Sequence, residues 1–454
     1  MKLVICGAGQ VGDNLTHYLY LDYDIIIIDT DPARLEWVKE QYDVQTIQGN
    51  AADIYVLSRA QLTSNTGFIA VTSSDEVNII ACQASGLLSQ TAFRSARIRN
   101  KNFFLPEWHE KMLKKFDLNF IFSPDQIAAL SILESFETPY AFDSFSFGES
   151  GLILIGIQIG ALNPFVHHTL AHVYHLLSSF NLKIIRIIRN YDAFIPSDTD
   201  TLNLNDAIYF LTFVHQKDQI MNSFGYPDDS SLSVILFGAS SINASIVDTL
   251  SQKNFSFTVI DDSVSKMTEF FSLYPNIRFL KGSPLNHELL EEAQIHKAAY
   301  AISTTGDDTM NILSGLMAHS YGVTHCLALV QGIRYISSLF AMGIEKIVNP
   351  HHLLIGTLLQ KLTKDFITFF YLLQGDESGT VIEAFINKGA PILAAKPSEI
   401  EDQTLRIMAI IRKKKVLWST DCFQEGDHVI VTTMPQGYQK FHLLFSSSVS
   451  HHTS

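Results

Sequence analysis

The 454-residue chain is short of cysteine: Cys6, Cys82, Cys326 and Cys422 are scattered, with no C-x-x-C pair. That spacing excludes a zinc knuckle or a disulfide framework and points to a reducing compartment. Charge is also scarce, at 17% of residues, and it sums to −14. Binding a phosphate backbone relies on a basic surface, so nucleic acid is excluded as a partner. Long apolar runs are missing as well. The longest, "GLILIGIQIGAL" at 151–162, has 12 residues, against the ~20 needed to cross a bilayer. No basic segment followed by an apolar one opens the sequence, so a signal peptide is not expected. H-E-x-x-H, G-x-S-x-G and Walker A patterns are absent, which removes the most recognisable hydrolytic and phosphate-transfer signatures. The mean hydropathy is nevertheless high, +0.15, as expected of strands buried on both faces or of large subunit interfaces.

What is present begins at once. "KLVICGAGQVGDNL", residues 2–15, is an apolar strand that breaks into Gly7, Gly9 and Gly12. This G-x-G-x-x-G spacing, followed by a helix, is that of a dinucleotide-binding turn. The first glycine permits the turn, the second lets the backbone approach a pyrophosphate, and the third lets helix and strand pack closely. Ala8, Gln10 and Val11 complete the loop and the helix start, whose free amides and dipole favour an anion. The next apolar strand, "DIIIID", ends in Asp29, 17 residues after Gly12. A carboxylate there accepts from ribose hydroxyls and repels a 2′-phosphate, favouring NAD(H) over NADP(H). ATP or ADP shares the adenosine half. Further strands end at Gly49-Asn50 and at Thr72-Ser73-Ser74, on the crevice side of an open parallel sheet. Asp75 and Asn78 read as helix-capping and first-turn residues. A fifth strand, "FRSARIR", presents Arg94, Arg97 and Arg99; a phosphate contact and a solvated edge are equally good readings of it.

Much of this is said twice. Gly238 follows Gly7 by 231 positions, Asp261 follows Asp29 by 232, and the Thr72–Asn78 stretch returns 233 later as Thr305–Asn311. Near-constant offsets of this kind mark an internal duplication. The second glycine loop, "GASSIN", keeps Gly238 but carries Ser240 and Asn243 at the other two positions. We expect Ser240 to crowd the pyrophosphate and Asn243 to push the helix off the strand, leaving Gly238 and Asp261 at most a weak second site. Each parallel unit is followed by a smaller strand-rich segment with a polar, acid-containing turn before its last strand, "NLNDAIYFLT" and "FQEGDHVIVT". The fold class read from this is α/β: duplicated Rossmann-like parallel-sheet domains, each followed by a small α+β module. The boundaries expected are 1–138, 139–228, 229–364 and 365–454, with hinges near 138–150 and 365–380.

Two other features are read conservatively. His168, His172 and His175 in "VHHTLAHVYHLL" share one predicted helix face. The outer two are ~10 Å apart along a helix axis, so a polar face is expected rather than a metal site. The basic run "IRKKKVLW" at 411–418 reads as a solvated turn.

The motifs "GAGQVG", "QGNAAD", "VTSSDEVNIIACQ", "ARIR", "IFSPDQ", "TGDDTMN" and "EGDHVIV" span essentially the whole chain. In this combination the chain resembles the TrkA family of bacterial potassium-uptake regulatory proteins, built of two RCK (regulator of potassium conductance) units. The resemblance implies a cytoplasmic protein, peripheral to the inner face of the membrane, that is not an enzyme. It further implies a homo-oligomeric ring, a tetramer or dimer of dimers, beneath a TrkH/TrkG-type integral membrane potassium channel. NAD(H) and ATP or ADP are the implied ligands. The contact positions it implies fall on Gly7 to Val11, Asp29, Thr72, Ser73 and Arg97. The alternative reading is a soluble NAD-dependent oxidoreductase, which requires an acid, base or nucleophile converging on the nicotinamide.

Overall fold

The computed structural model describes residues 1–20, 23–91, 93–190, 192–226, 232–331, 344–362, 366–373, 379–419 and 422–446. The boundaries expected at 228/229 and 364/365, and part of the second hinge segment, lie outside these residues. By internal contacts the chain divides into two compact units, Met1–Ile127 with Pro350–Leu362, and Ala128–Asn349 with Thr363–Ser454.

In the first unit the strands β1 (Lys2–Cys6), β2 (Asp24–Asp29), β3 (Gln45–Gln48), β4 (Thr66–Ala70), β5 (Phe93–Arg97) and β6 (Phe120–Phe122) form one sheet. Their order is β3-β2-β1-β4-β5-β6, and every pairing is parallel. The order reverses between β1 and β4, which opens a crevice at their carboxyl ends. Val4, Ile26, Ile28, Phe68 and Ala70 join the core. Cys6 and Cys82 are buried in that same core, and burial holds the Cys82 thiol up at about 12. Such thiols stay protonated and pack as small apolar groups. The helix Pro350–Leu362 belongs to this unit and packs on the helix Gln10–Leu19.

The second unit holds three sheets. β7 (Asp143–Phe147), β8 (Leu152–Gln158), β9 (Lys183–Arg189), β10 (Asp192–Phe194) and β11 (Ala207–Phe213) form an antiparallel sheet in the order β10-β9-β11-β8-β7. β10 hairpins with β9 rather than leading directly into β11. The second parallel sheet contains β12 (Ser233–Phe237), β13 (Ser256–Asp261), β14 (Arg278–Lys281), β15 (Tyr300–Ser303), β16 (His325–Leu329) and β17 (Lys346–Val348). Its order, β14-β13-β12-β15-β16-β17, is that of the first. β18 (Ile367–Leu372), β19 (Thr380–Phe385), β20 (Leu405–Arg412), β21 (Lys415–Leu417) and β22 (His428–Thr433) repeat the antiparallel pattern as β18-β19-β22-β20-β21. The fold class is therefore a duplicated Rossmann-like sheet, each copy with a small antiparallel module.

The acid-containing turns are explained by what they hold. Asp206 takes a two-pronged contact from Arg189 (2.9 and 2.7 Å) and an amide bond from Asn203. Asp427 takes the same from Arg412 (2.8 and 2.8 Å) and Gln424. Bidentate pairs of this kind fix geometry as well as contributing energy. The run at 411–418 is the β20–β21 hairpin, with Lys413 and Lys414 at positive φ in its exposed turn. His168 precedes the helix Leu170–Leu176, so the three histidines do not share one helix. Among the described residues no His, Cys, Asp and Glu cluster is placed to hold a metal, and no helix is long and apolar enough to cross a membrane.

Candidate nucleotide site

The turn after β1 is built as its glycines require. Gly7 has φ +114°, a left-handed region that favours glycine, and a Cβ there would lie 3.0 Å from Thr72 N. At Gly12 a Cβ would lie 1.8 Å from the Gly7 carbonyl oxygen, so the third glycine is what lets the helix sit on the loop. Gly9 is different. A Cβ there would meet only the Arg34 guanidinium, at 3.7 Å. The protein itself does not demand glycine at this position, so the open space is available to a ligand. No side chain caps the helix Gln10–Leu19, whose N-cap is Gly9. Its first amides therefore present partial positive charge to the crevice.

Asp29, at the end of β2, accepts from Ala8 N (2.6 Å) through one oxygen and from Asp31 N (2.9 Å) through the other. It is thus the strut that holds the glycine loop. Each carboxylate oxygen has a second lone pair, so ribose hydroxyls can still be accepted. Thr72 directs its hydroxyl to Asn78 Oδ1 (2.7 Å), which also receives the Thr72 amide (2.8 Å). Asn78 Nδ2 in turn donates to Arg97 O (2.9 Å). Thr72 is therefore bracketed by Asn78 through both its backbone and its side chain, and serves to fix the crevice wall beside Gly7. Ser73 and Asn50 are exposed, and Asn50 Oδ1 accepts from Ala52 N (2.9 Å).

Arg97 ends β5 at the same edge of the sheet. Its Nε is buried and has no hydrogen-bond partner in the structure. Burial, reinforced by the Arg99 charge, lowers its pKa against the pull of Asp125 and Asp75. A partly buried guanidinium with an unused donor is suited to an anion. Arg99 lies beyond the strand and exposed, and its backbone amide donates to Asp75 (2.9 Å). Arg94 points elsewhere, forming an ion pair with Asp117. His351, from the helix Pro350–Leu362, is 5% exposed and lies in the field of Arg97 and Asp125. Burial first, then Arg97, pushes its pKa down to about 4.

The first crevice thus brings together Gly7, Ala8, Gly9, Gln10, Val11, Gly12, Asp29 and Thr72, with Arg97 at the neighbouring strand end. Sequence reading did not find Arg34 or His351. Arg34 stands in no motif, and His351 is 339 residues beyond Gly12 along the chain (351 − 12).

The second crevice has the same frame. Gly238 has φ +101°, and Asp261 accepts from Ala239 N and Ser263 N, both at 2.7 Å. Thr305 and Asn311 reproduce the Thr72–Asn78 bonds, at 2.7 and 2.7 Å. The loop, however, closes on itself. Ser240 caps the helix Ser241–Leu250 by accepting from Asn243 N (3.1 Å) and also bonds Thr304 Oγ1 (2.7 Å). Asn243 does not displace the helix as expected. It is fully buried and donates to Gly238 O at 2.7 Å.

The TrkA-N domain model matches residues 3–124 and 234–350, over half of the chain. The chain belongs to the TrkA-N domain family. Both parallel-sheet domains are copies of that domain. A Trk system potassium uptake protein TrkA from Azorhizobium caulinodans is 27% identical over 456 residues, covering 99% of each chain. The protein of that name from Halomonas elongata is 26% identical over 442 residues, covering 95% of each. Among solved structures the GsuK RCK domain aligns with TM-score 0.61 at 16% identity, over 98% of this chain and 94% of that one. The GsuK channel bound to NAD aligns with TM-score 0.61 at 16% identity, over 98% of this chain and 78% of that one.

Proposed function

We propose that this chain is a peripheral cytoplasmic regulatory subunit of a Trk-type potassium uptake system. It senses NAD(H), or ATP or ADP, at its first TrkA-N domain. The observation that carries this reading is the first glycine loop: an uncapped helix start, open space over Gly9, and an unused Arg97 donor nearby. These features fit a nucleotide diphosphate. The amides from Gly9 to Val11 hold the phosphates, with the Ala8 amide tied to Asp29. Asp29 also takes the ribose and Arg97 a phosphate oxygen, while Thr72, Ser73 and Asn50 border the crevice. Similarity over nearly the full length to Trk system potassium uptake proteins, and a fold neighbour solved bound to NAD, support the same reading.

In this reading the modules are 1–138, 139–228, 229–364 and 365–454, and the partner is a TrkH/TrkG-type membrane channel capped by a ring of this chain. The nucleotide acts by binding two arrangements of the ring with different affinity, since only differential binding shifts an equilibrium. Several identical subunits on one pore multiply that free energy. The second glycine loop contributes frame rather than affinity, because Ser240 caps the helix start that a phosphate would use.

Titration of the purified protein with NADH, ATP and ADP, read by thermal shift, tests this. Saturable stabilisation is expected, ~2.7 kcal/mol at a ligand concentration of one hundred Kd, and it should vanish in Gly9→Glu. Co-purification with the membrane channel then tests the partner. Absence of any shift with all three nucleotides overturns the sensing role.

A further inference from the structure

The two antiparallel modules of the second unit face each other through an apolar core that includes Leu154, Ile185, Tyr209, Val381, Met408 and Ile430. Their strand orders match. Each has a register break at the same place, beside Ile185 in one and Met408 in the other. One row across the first sheet therefore reads Arg186, Tyr209, Gly156, Asp143. The corresponding row of the second reads Ala409, Ile430, Glu383, Phe369. One pair of contacts across the interface is related by a twofold. Asp143 accepts a hydrogen bond from Tyr371, and at the related position Phe369 stacks on Phe145, with ring centroids 3.8 Å apart.

The pairing is pseudo-symmetric in shape but not in polarity. Asp143 is 3% exposed and holds the hydroxyls of Tyr209 (2.7 Å) and Tyr371. Arg186 is fully buried with no carboxylate hydrogen-bonded to it. It donates to Thr432 Oγ1 (2.7 Å) and Thr433 O (3.1 Å) and touches the Met434 sulfur. If the first module paired with another copy of itself, Asp143 would face Phe145 in place of Tyr371, and Arg186 would face Leu211 in place of Thr432. A buried charge would lose a partner at each position, twice over by symmetry. That is a heavy penalty, because the charge is already out of water.

We infer that Asp143 and Arg186 make the first antiparallel module choose the second as its partner and reject a second copy of itself. The repulsive element is as important as the attractive one, as in other specific pairings.

The test uses the full chain in a Cys422→Ser background, with Phe145→Cys as the probe and two differently tagged copies co-expressed and oxidised. In the otherwise unchanged chain, Phe145→Cys combined with Phe369→Cys should form an intrachain disulfide. Chains carrying Phe145→Cys alone should stay monomeric on a non-reducing gel. Adding Asp143→Phe and Arg186→Ala, which gives the two charged positions of the first row the residues of the second, should raise the 145–145 interchain product at least fivefold. Abundant 145–145 product without these changes overturns the inference. So does no increase in a double variant that still melts cooperatively, since tethering alone would then decide the pairing. If the double variant does not fold, Tyr371→Phe carries the test. It keeps the shape found at Phe145 and removes only the hydroxyl, so a several-fold rise in the 145–145 product is expected and no rise overturns the inference.

Discussion

At the end of β1 the helix Gln10–Leu19 starts on Gly9, with no side chain over its first amides. At the end of β12, 231 residues later in the repeat, the helix Ser241–Leu250 starts on Ser240, which caps it and ties it to Thr304. Everything around the two starts is alike: the positive-φ glycine, the aspartate bonded to two amides, and the Asn78 and Asn311 brackets. One loop leaves its donors for something else to satisfy, and the other satisfies them internally. A helix start must find acceptors somewhere. The duplicated fold thus separates what the frame needs, common to both copies, from what a ligand needs, which one copy has given up.

The largest effect should come from the tightest contrast between the copies. Gly12→Ala forces a methyl against the Gly7 carbonyl and should cost the first domain ~3 kcal/mol, read as a loss of thermal stability. Asn243, at the same place in the second copy, is accommodated by its hydrogen bond to Gly238 O, so Asn243→Ser should cost that domain only ~1 kcal/mol, the loss of one buried hydrogen bond. Next, Gly9→Glu should weaken nucleotide binding ~100-fold, about 2.7 kcal/mol, with the melting temperature nearly unchanged, because a Cβ at 9 meets no backbone. Calorimetric titration checks both numbers, and an unfolded Gly9→Glu would break the claim that the opening is reserved for ligand.

A third expectation is a pH dependence carried by the first unit through its buried histidines. His351 is held near 4 when folded and takes a proton near 6.5 when unfolded. The unfolded state therefore binds more protons in that interval, and stability present above pH 6.5 is lost as the pH falls toward 4. The loss should be ~2 kcal/mol per histidine between pH 7 and 4.5. Because burial also holds the neighbouring His352 down at about 4, His351→Leu should remove roughly half of the total in denaturant titrations. Smallest is Ser240→Ala, which removes the cap of the second loop and should cost ~1 kcal/mol without altering nucleotide affinity at the first.

How much of this was legible beforehand depends on whether an interaction is local. The buried parallel strands, the duplication and the glycine turn could be read because such strands are apolar throughout and the turn residues are contiguous. The acid turns at Asp206 and Asp427 were visible as acids but not as arginine clamps, since Arg189 and Arg412 lie 17 and 15 residues away. Asn243 was read as an obstruction because residue size is evident from sequence, whereas a hydrogen bond to Gly238 O is not. Arg94, Arg97 and Arg99 look alike in the strand pattern. Their different fates follow from Asp117, the crevice edge and Asp75 respectively.

The sequence by itself determined two parallel sheets with crevices and which glycine loop is intact, because backbone sterics and apolar periodicity act over a few residues. Only the tertiary structure decided that Asp29 is first a strut for the loop, that His351 is brought beside Arg97, and that Asp143 meets Tyr371. These depend on desolvation and hydrogen bonding between groups far apart in the chain, which no local pattern encodes.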